Sequence, residues 1–235
     1  MDKKIFISGA SRGLGLNLVK KYLEQGDTVY AGARNPGSEH IAELCEQYPA
    51  LKVYALDVSD TEAVDKCFRM LSQDTEHIDI LINNAGIQAE TSFNTIEETD
   101  IDEALAVYNT NALGPLRVVK NFLPLLKNSP TSFVVNISSG AGSVQLTEIA
   151  KEYDYRMSKA ALNMATKILH NHFKGMGVRI AAVDPGWLKT DMGMRSGGYM
   201  DPYESATKLY ELFDKLYHGA DDLLFMNNEG KTLPW

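Results

Sequence analysis

The sequence predicts one doubly wound α/β domain over residues 1–235, a parallel sheet with helices on both faces. Three observations carry this. Short apolar runs rich in β-formers alternate with segments of helical spacing, a glycine-rich turn separates the first run from the first helix, and no repeat, linker or composition shift divides the chain. With 235 residues, 44% of them hydrophobic and 23% charged, the chain is long enough for one full core and has the composition of an ordinary folded protein.

The first run, "KKIFIS", stops at "GASRGLG", and "LNLVKKYLEQG" then spaces its apolar residues as a helix and ends on a glycine. The unit repeats. "TVYAGAR" (28–34) precedes a helix near 38–48, "KVYALDV", with a strand near 52–57, precedes a helix near 60–74, and "IDILINNAG" supplies a strand at 78–83. These runs lack polar alternation, as strands covered on both faces should. A polar loop follows, then two helical stretches near 99–127 broken at "NALGP", the strand "SFVVNIS", a long helix near 153–174 and the strand "VRIAAVDPG". "DDLLFMN" is a candidate edge strand, and the closing "GKTLPW" brings an aromatic expected to pack on the body or on a neighbouring subunit.

Twenty-three basic against thirty-one acidic residues give a net charge of −8, which repels a phosphate backbone and argues against nucleic acid as a partner. The start, "MDKKIFISGA", has too short an apolar run for a signal peptide or a membrane span, so no membrane association and a cytoplasmic location are expected. Cys45 and Cys67 fall in separate helical segments without metal-ligand spacing; both are expected to be reduced, structural residues, and no metal site is predicted.

Between first strand and first helix, "SGASRGLG" presents Gly9, Ser11, Arg12, Gly13, Leu14 and Gly15. Absent side chains there let backbone amides approach a pyrophosphate at the helix N-terminus, although a glycine-rich turn alone serves equally as a tight connection. Sites selective for NAD carry an acid at the end of the second strand; here stand Ala33 and Arg34. Arg12 and Arg34 could clamp a 2′-phosphate by charge-assisted bonds, which points to NADP(H); the alternative is two solvated surface arginines.

In "KEYDYRMSK", Tyr155 and Lys159 are four apart and share a helix face, whereas Tyr153 lies on the opposite side, as a pocket wall or a residue at the helix start. A phenol with an ordinary pKa of about 10 needs a neighbouring cation to exchange protons near neutrality, and Lys159 is positioned to be that cation. An amphipathic helix pair is the competing account.

Taken in order, "SGASRGLG", "NNAG", "NTNALGP", "NISSGAG", "YRMSK" and "DPGWLKT" resemble the short-chain dehydrogenase/reductase family, most closely its sniffer-like and C-factor-like carbonyl reductases, over about residues 3–195. The resemblance implies a Rossmann-like fold and an NADPH-dependent reduction of a ketone or aldehyde to an alcohol, with a small-molecule carbonyl or alcohol as substrate. It implies that Asp57 and Val58 sit against the adenine, and that Asn83, Ala85 and Gly86 line the cofactor. Asn111 would hold a water in a proton relay, Ser139 would bind the substrate carbonyl with Ser138 as competitor, and Tyr155 would donate the proton. Lys159 would also hold the nicotinamide ribose, and Pro185, Gly186 and Thr190 would contact the nicotinamide end. Ser8 and Asp184 depart from the family's usual Thr and Asn. The stretch near 190–205 would be the substrate-facing loop, glycine-rich and mobile, with Met192, Met194 and Tyr199 as an adaptable lining. Ala160, Ala161 and Ala165 permit close helix approach, and a homodimer or homotetramer is implied. A cofactor-sensing regulatory protein with little catalysis is the rival, though binding alone needs neither the tyrosine nor the serine.

Overall fold

The computed structural model describes residues 2–219 and 224–235. Its strands are β1 (Lys4–Ser8), β2 (Thr28–Ala33), β3 (Leu51–Ala55), β4 (Ile80–Asn83), β5 (Ser132–Ile137), β6 (Val178–Asp184) and β7 (Phe225–Asn227). All pair in parallel, in the order β3-β2-β1-β4-β5-β6-β7. Chain order reverses between β1 and β4, and at such a switch point the connections diverge to opposite faces, opening a crevice at the carboxyl ends of the strands.

Helices α1 (Gly13–Glu24), α2 (Glu39–Gln47) and α8 (Pro202–His218) cover one face; α3 (Thr61–Asp74), α5 (Gly114–Asn128) and α6 (Tyr153–Phe173) cover the other. Period-two alternation feeds both cores from the same strand: Ile5 and Ile7 of β1 pack with Leu18 and Phe213, while Phe6 between them packs with Phe122. The sheet therefore has no solvated face, which is why its strands read as continuous apolar runs.

Three expectations need correction. The stretch near 99–127 is not two broken helices: α4 (Glu103–Tyr108) runs through a π-helical turn (Asn109–Leu113) into α5 without a gap. In the wide turn the Gly114 amide donates to the Asn109 carbonyl, and Pro115, which has no N–H to donate, follows in the first turn of α5. Residues 202–205, expected in the substrate loop, begin the seventeen-residue α8. Its start is readable in hindsight, because Asp201 accepts from the Tyr203 and Glu204 amides and Pro202 occupies the first turn. The edge strand is shorter than "DDLLFMN": Phe225–Asn227 pair with β6, Leu224 precedes them, and Asp221, Asp222 and Leu223 lie outside the described residues. The closing aromatic packs on the body, Trp235 stacking on Phe225 at 5.3 Å. Among the described residues no helix is long and apolar enough to cross a membrane.

Candidate active site

A cleft of about 1750 Å³ runs along the carboxyl ends of the strands. One end is the glycine turn, where Gly9, Ser11, Arg12, Gly13 and Leu14 form the wall. Gly9 has φ +70, and a Cβ there would lie 2.7 Å from the Ala85 Cα, so the turn and the segment after β4 meet backbone to backbone. Gly15 acts from beneath: a side chain on it would collide with the Gly9 carbonyl, so it packs the helix under the turn and is not part of the wall. No side chain caps α1 and its first turn carries no acid, so its amides are left to meet an anion. Arg34, Asp57 and Val58 line the adjoining part of the cleft, with His40 beside them. Asp57 accepts from the Ser59 hydroxyl and amide, and these bonds together with Arg34 hold its carboxyl below the ordinary range. Together, the glycine wall, the uncapped helix start and the exposed Arg34 fit a phosphorylated dinucleotide.

Arg12 is not a free cation here. Its Nη1 donates to the Asp191 Oδ2 at 2.7 Å, tying the glycine turn to the opposite wall. Asn83 also needs correction. Its Nδ2 donates to the Asn136 Oδ1 within the sheet, and strand alternation turns Asn84 into the cleft instead. Asn84 donates to the carbonyls of Ser8 and Gly9, and its amide, with that of Ala85, donates to the Ser8 hydroxyl.

Tyr155 lies in the first turns of α6, half-buried, and shares the cleft wall with Ser139. Ser139 follows β5 and caps the short turn Gly140–Gly142 by accepting from the Ala141 amide at 3.1 Å. Ser138 is committed elsewhere: it is buried and donates to the Asn163 Oδ1 at 2.6 Å. Lys159, one turn beyond Tyr155, is buried; its Nζ donates to the Ile137 carbonyl at 2.8 Å and sits 5.5 Å over the Tyr155 ring. Asn111, in the π turn, is fully buried. Its Nδ2 donates to the Ile87 carbonyl and the Ser158 hydroxyl, and its Oδ1 accepts from the Ile87 amide. These bonds brace the segment after β4 and tie it to α6.

The expected effect of Lys159 on the phenol is not what the fold produces. Burial raises the Tyr155 pKa, Asp184 and Glu152 raise it further, and Ser139 and Arg156 pull it down. Lys159 itself is brought down to about 8 by burial, against a partial counter-effect of Asp184.

Sequence reasoning missed Glu152. It is buried with φ 61 and ψ 38, the one described non-glycine residue with positive φ, and it stands directly before α6. Gln88 donates to its Oε1 and Arg156 to its Oε2, while its amide donates to the Ser92 carbonyl. Tyr153 does start the helix and is not part of the cleft wall.

Pro185, Gly186, Thr190, Met192 and Tyr199 line the far wall, joined by Trp187, which packs edge-on against Tyr199. Met194 is exposed and does not line the cleft. The stretch near 190–205 is strongly tied rather than loose: Thr190 caps α7 (Asp191–Met194), Leu188 bridges Met200, and Arg195 donates to the carbonyls of Ala89 and Glu90 across the cleft.

Comparison with known proteins gives a consistent result. The family model for short chain dehydrogenases matches residues 3–198. An uncharacterized oxidoreductase of Schizosaccharomyces pombe is 29% identical over 252 aligned positions, covering 100% of this chain and 98% of its own. A second from the same yeast is 34% identical over 193, covering 81% and 76%. Among solved structures, an NADPH-bound carbonyl reductase from chicken fatty liver superposes with a TM-score of 0.88 at 31% identity, covering 100% of this chain and 99% of that one. Carbonyl reductase Sniffer of Drosophila melanogaster gives 0.91 at 30%, covering both chains fully.

The depressed Lys159 has a thermodynamic signature. The fold disfavours its charged form, so folding carries a penalty below about pH 8 that fades as pH rises toward the ordinary 10.5. Relative to Lys159→Met, the cofactor-free wild-type protein should therefore gain stability between pH 7 and 10, read by urea denaturation across that range; a constant difference would refute the assignment.

Proposed function

The chain belongs to the short-chain dehydrogenase family, and we propose that it is an NADP(H)-dependent reductase of ketones or aldehydes, reversible as an alcohol dehydrogenase. The observation that carries this is the placing of Ser139 and Tyr155 together on the cleft wall, with Lys159 buried and its Nζ 5.5 Å over the tyrosine ring. Binding alone needs no such pair.

When bound, the cofactor supplies the hydride that reaches the carbonyl carbon. Tyr155 gives its proton to the carbonyl oxygen as charge develops there, and Ser139 hydrogen-bonds the same oxygen. A phenol whose pKa is raised keeps the proton that reduction consumes, and the resulting phenolate regains one from solvent. Lys159, charged below about pH 8, stabilises that phenolate and orients the nicotinamide ribose. Asn111 keeps Ile87, and with it the wall after β4, in place. Arg34 supports the choice of NADP(H): it is exposed at the end of β2 where an acid would otherwise repel a 2′-phosphate, and Arg12 joins it on leaving Asp191.

Exposed apolar residues support assembly as a homodimer or homotetramer. Leu105 and Tyr108 of α4 and Met157, Met164 and Ile168 of α6 are each more than two-fifths exposed, and the two helices are neighbours.

Tyr155→Phe should lower carbonyl-dependent NADPH oxidation by at least about 100-fold while leaving the NADPH Kd within about threefold of wild type; full activity in that variant would sink the mechanism. Arg34→Ala should weaken NADPH by roughly tenfold and leave NADH nearly unchanged in binding titrations, since one charge-assisted contact is removed. In sedimentation, Met164→Asp should shift the protein toward monomer, and a wild-type monomer would dispose of the assembly proposal.

A further inference from the structure

Asp184 ends β6 on the cleft wall. Its two carboxylate oxygens accept from different loops: Oδ2 from the Gly140 amide at 2.6 Å and Oδ1 from the Gly186 amide at 2.7 Å. Gly140 follows Ser139 directly and opens the turn that Ser139 caps; Gly186 belongs to the opposite nicotinamide-side wall. The fit is close, since a Cβ on Gly140 would lie 2.9 Å from Oδ2. Only a carboxylate can accept at both ends. An amide of the same size offers one acceptor and turns an N–H donor toward the other N–H, so one loop is released.

We propose that Asp184 is a positioning residue that locks the Ser139 turn to the Pro185–Gly186 wall and serves as counter-charge to the buried Lys159. This rests on the carbonyl-reductase reading above for the purpose of the placement, but the placement itself is a matter of geometry. The Gly140–Gly142 turn touches Asp184 through Gly140 and the Lys159 backbone through Gly142, and both side chains line the cleft; the other charged groups acting there are Glu152 and Arg156, at the start of α6, on Tyr155. Its charge favours the ammonium against the cost of burial. A reductase gains from this, because the ammonium is what stabilises the phenolate left by proton transfer.

The test uses the whole protein with Asp184→Asn. Carbon-13 NMR of the lysine ε-carbons, with the Lys159 signal assigned by its loss in Lys159→Met, follows Lys159 directly in the absence of cofactor and substrate. The midpoint should fall by about half a pH unit or more, and kcat for the carbonyl should fall about tenfold as Ser139 is released. Should the asparagine variant fail to fold, Asp184→Ser removes the same charge and one of the two bonds and is read in the same way. An unmoved Lys159 midpoint together with wild-type kcat overturns the proposal. Because the NMR arm needs no turnover, it decides the role of Asp184 even if the wild-type protein reduces no carbonyl, an outcome that would fall on the proposed function instead.

Discussion

The seam between β1 and β4 is the constraint from which the cleft follows. The Ser8 hydroxyl accepts from two consecutive amides, those of Asn84 and Ala85, and the Asn84 side chain returns two bonds to the carbonyls of Ser8 and Gly9. Four bonds between strand ends that diverge just beyond them fix the floor of the cleft. Gly9 and Gly15 complete it by omission, each at a place where a methyl group would meet backbone. The glycine turn is therefore as much a joint between strands as a surface for phosphate, and its spacing answers to packing below as well as to a ligand above.

From that floor the reactive groups are delivered by separate elements. Ser139 comes from the end of β5, Tyr155 and Lys159 from α6, Asp184 from the end of β6, and Asn111 braces the segment after β4 from a π turn. Burying an ammonium beneath a tyrosine ring costs stability, and a left-handed backbone at Glu152 adds strain in the same few ångströms. Asp154 offsets this by anchoring α6, accepting from the Ala89 amide and the Ser92 hydroxyl. The site thus carries a buried cation and a left-handed residue in a molecule whose two cores are otherwise apolar.

Much of this could be read from the sequence because it is written in local patterns. Continuous apolar runs announced a sheet covered on both faces, and the four-residue spacing of Tyr155 and Lys159 placed them on one helix face. What escaped was decided by partners far along the chain. Arg12 and Asp191 are 179 positions apart, and nothing near either shows that they pair. Asn83 and Asn84 are adjacent and chemically identical, so only the phase of β4 determines which enters the cleft. The phenol moved opposite to expectation because burial raises its pKa and Asp184 and Glu152, one distant and one in an unusual conformation, raise it further. The helix α8 was overlooked although its capping aspartate and proline were in plain sequence.

The tie between Arg12 and Asp191 has an effect on how the protein answers to ionic strength. Both side chains are well exposed, at 66% and 78%, so added salt screens the pair. The same salt screens the attraction of Arg12 and Arg34 for a phosphate. The first effect frees a guanidinium while the second weakens what it can hold, and the two oppose one another. Under the proposed role of the two arginines, cofactor capture would be buffered against salt by an internal competitor for the same charge, its affinity following ionic strength less steeply than two arginines alone would dictate.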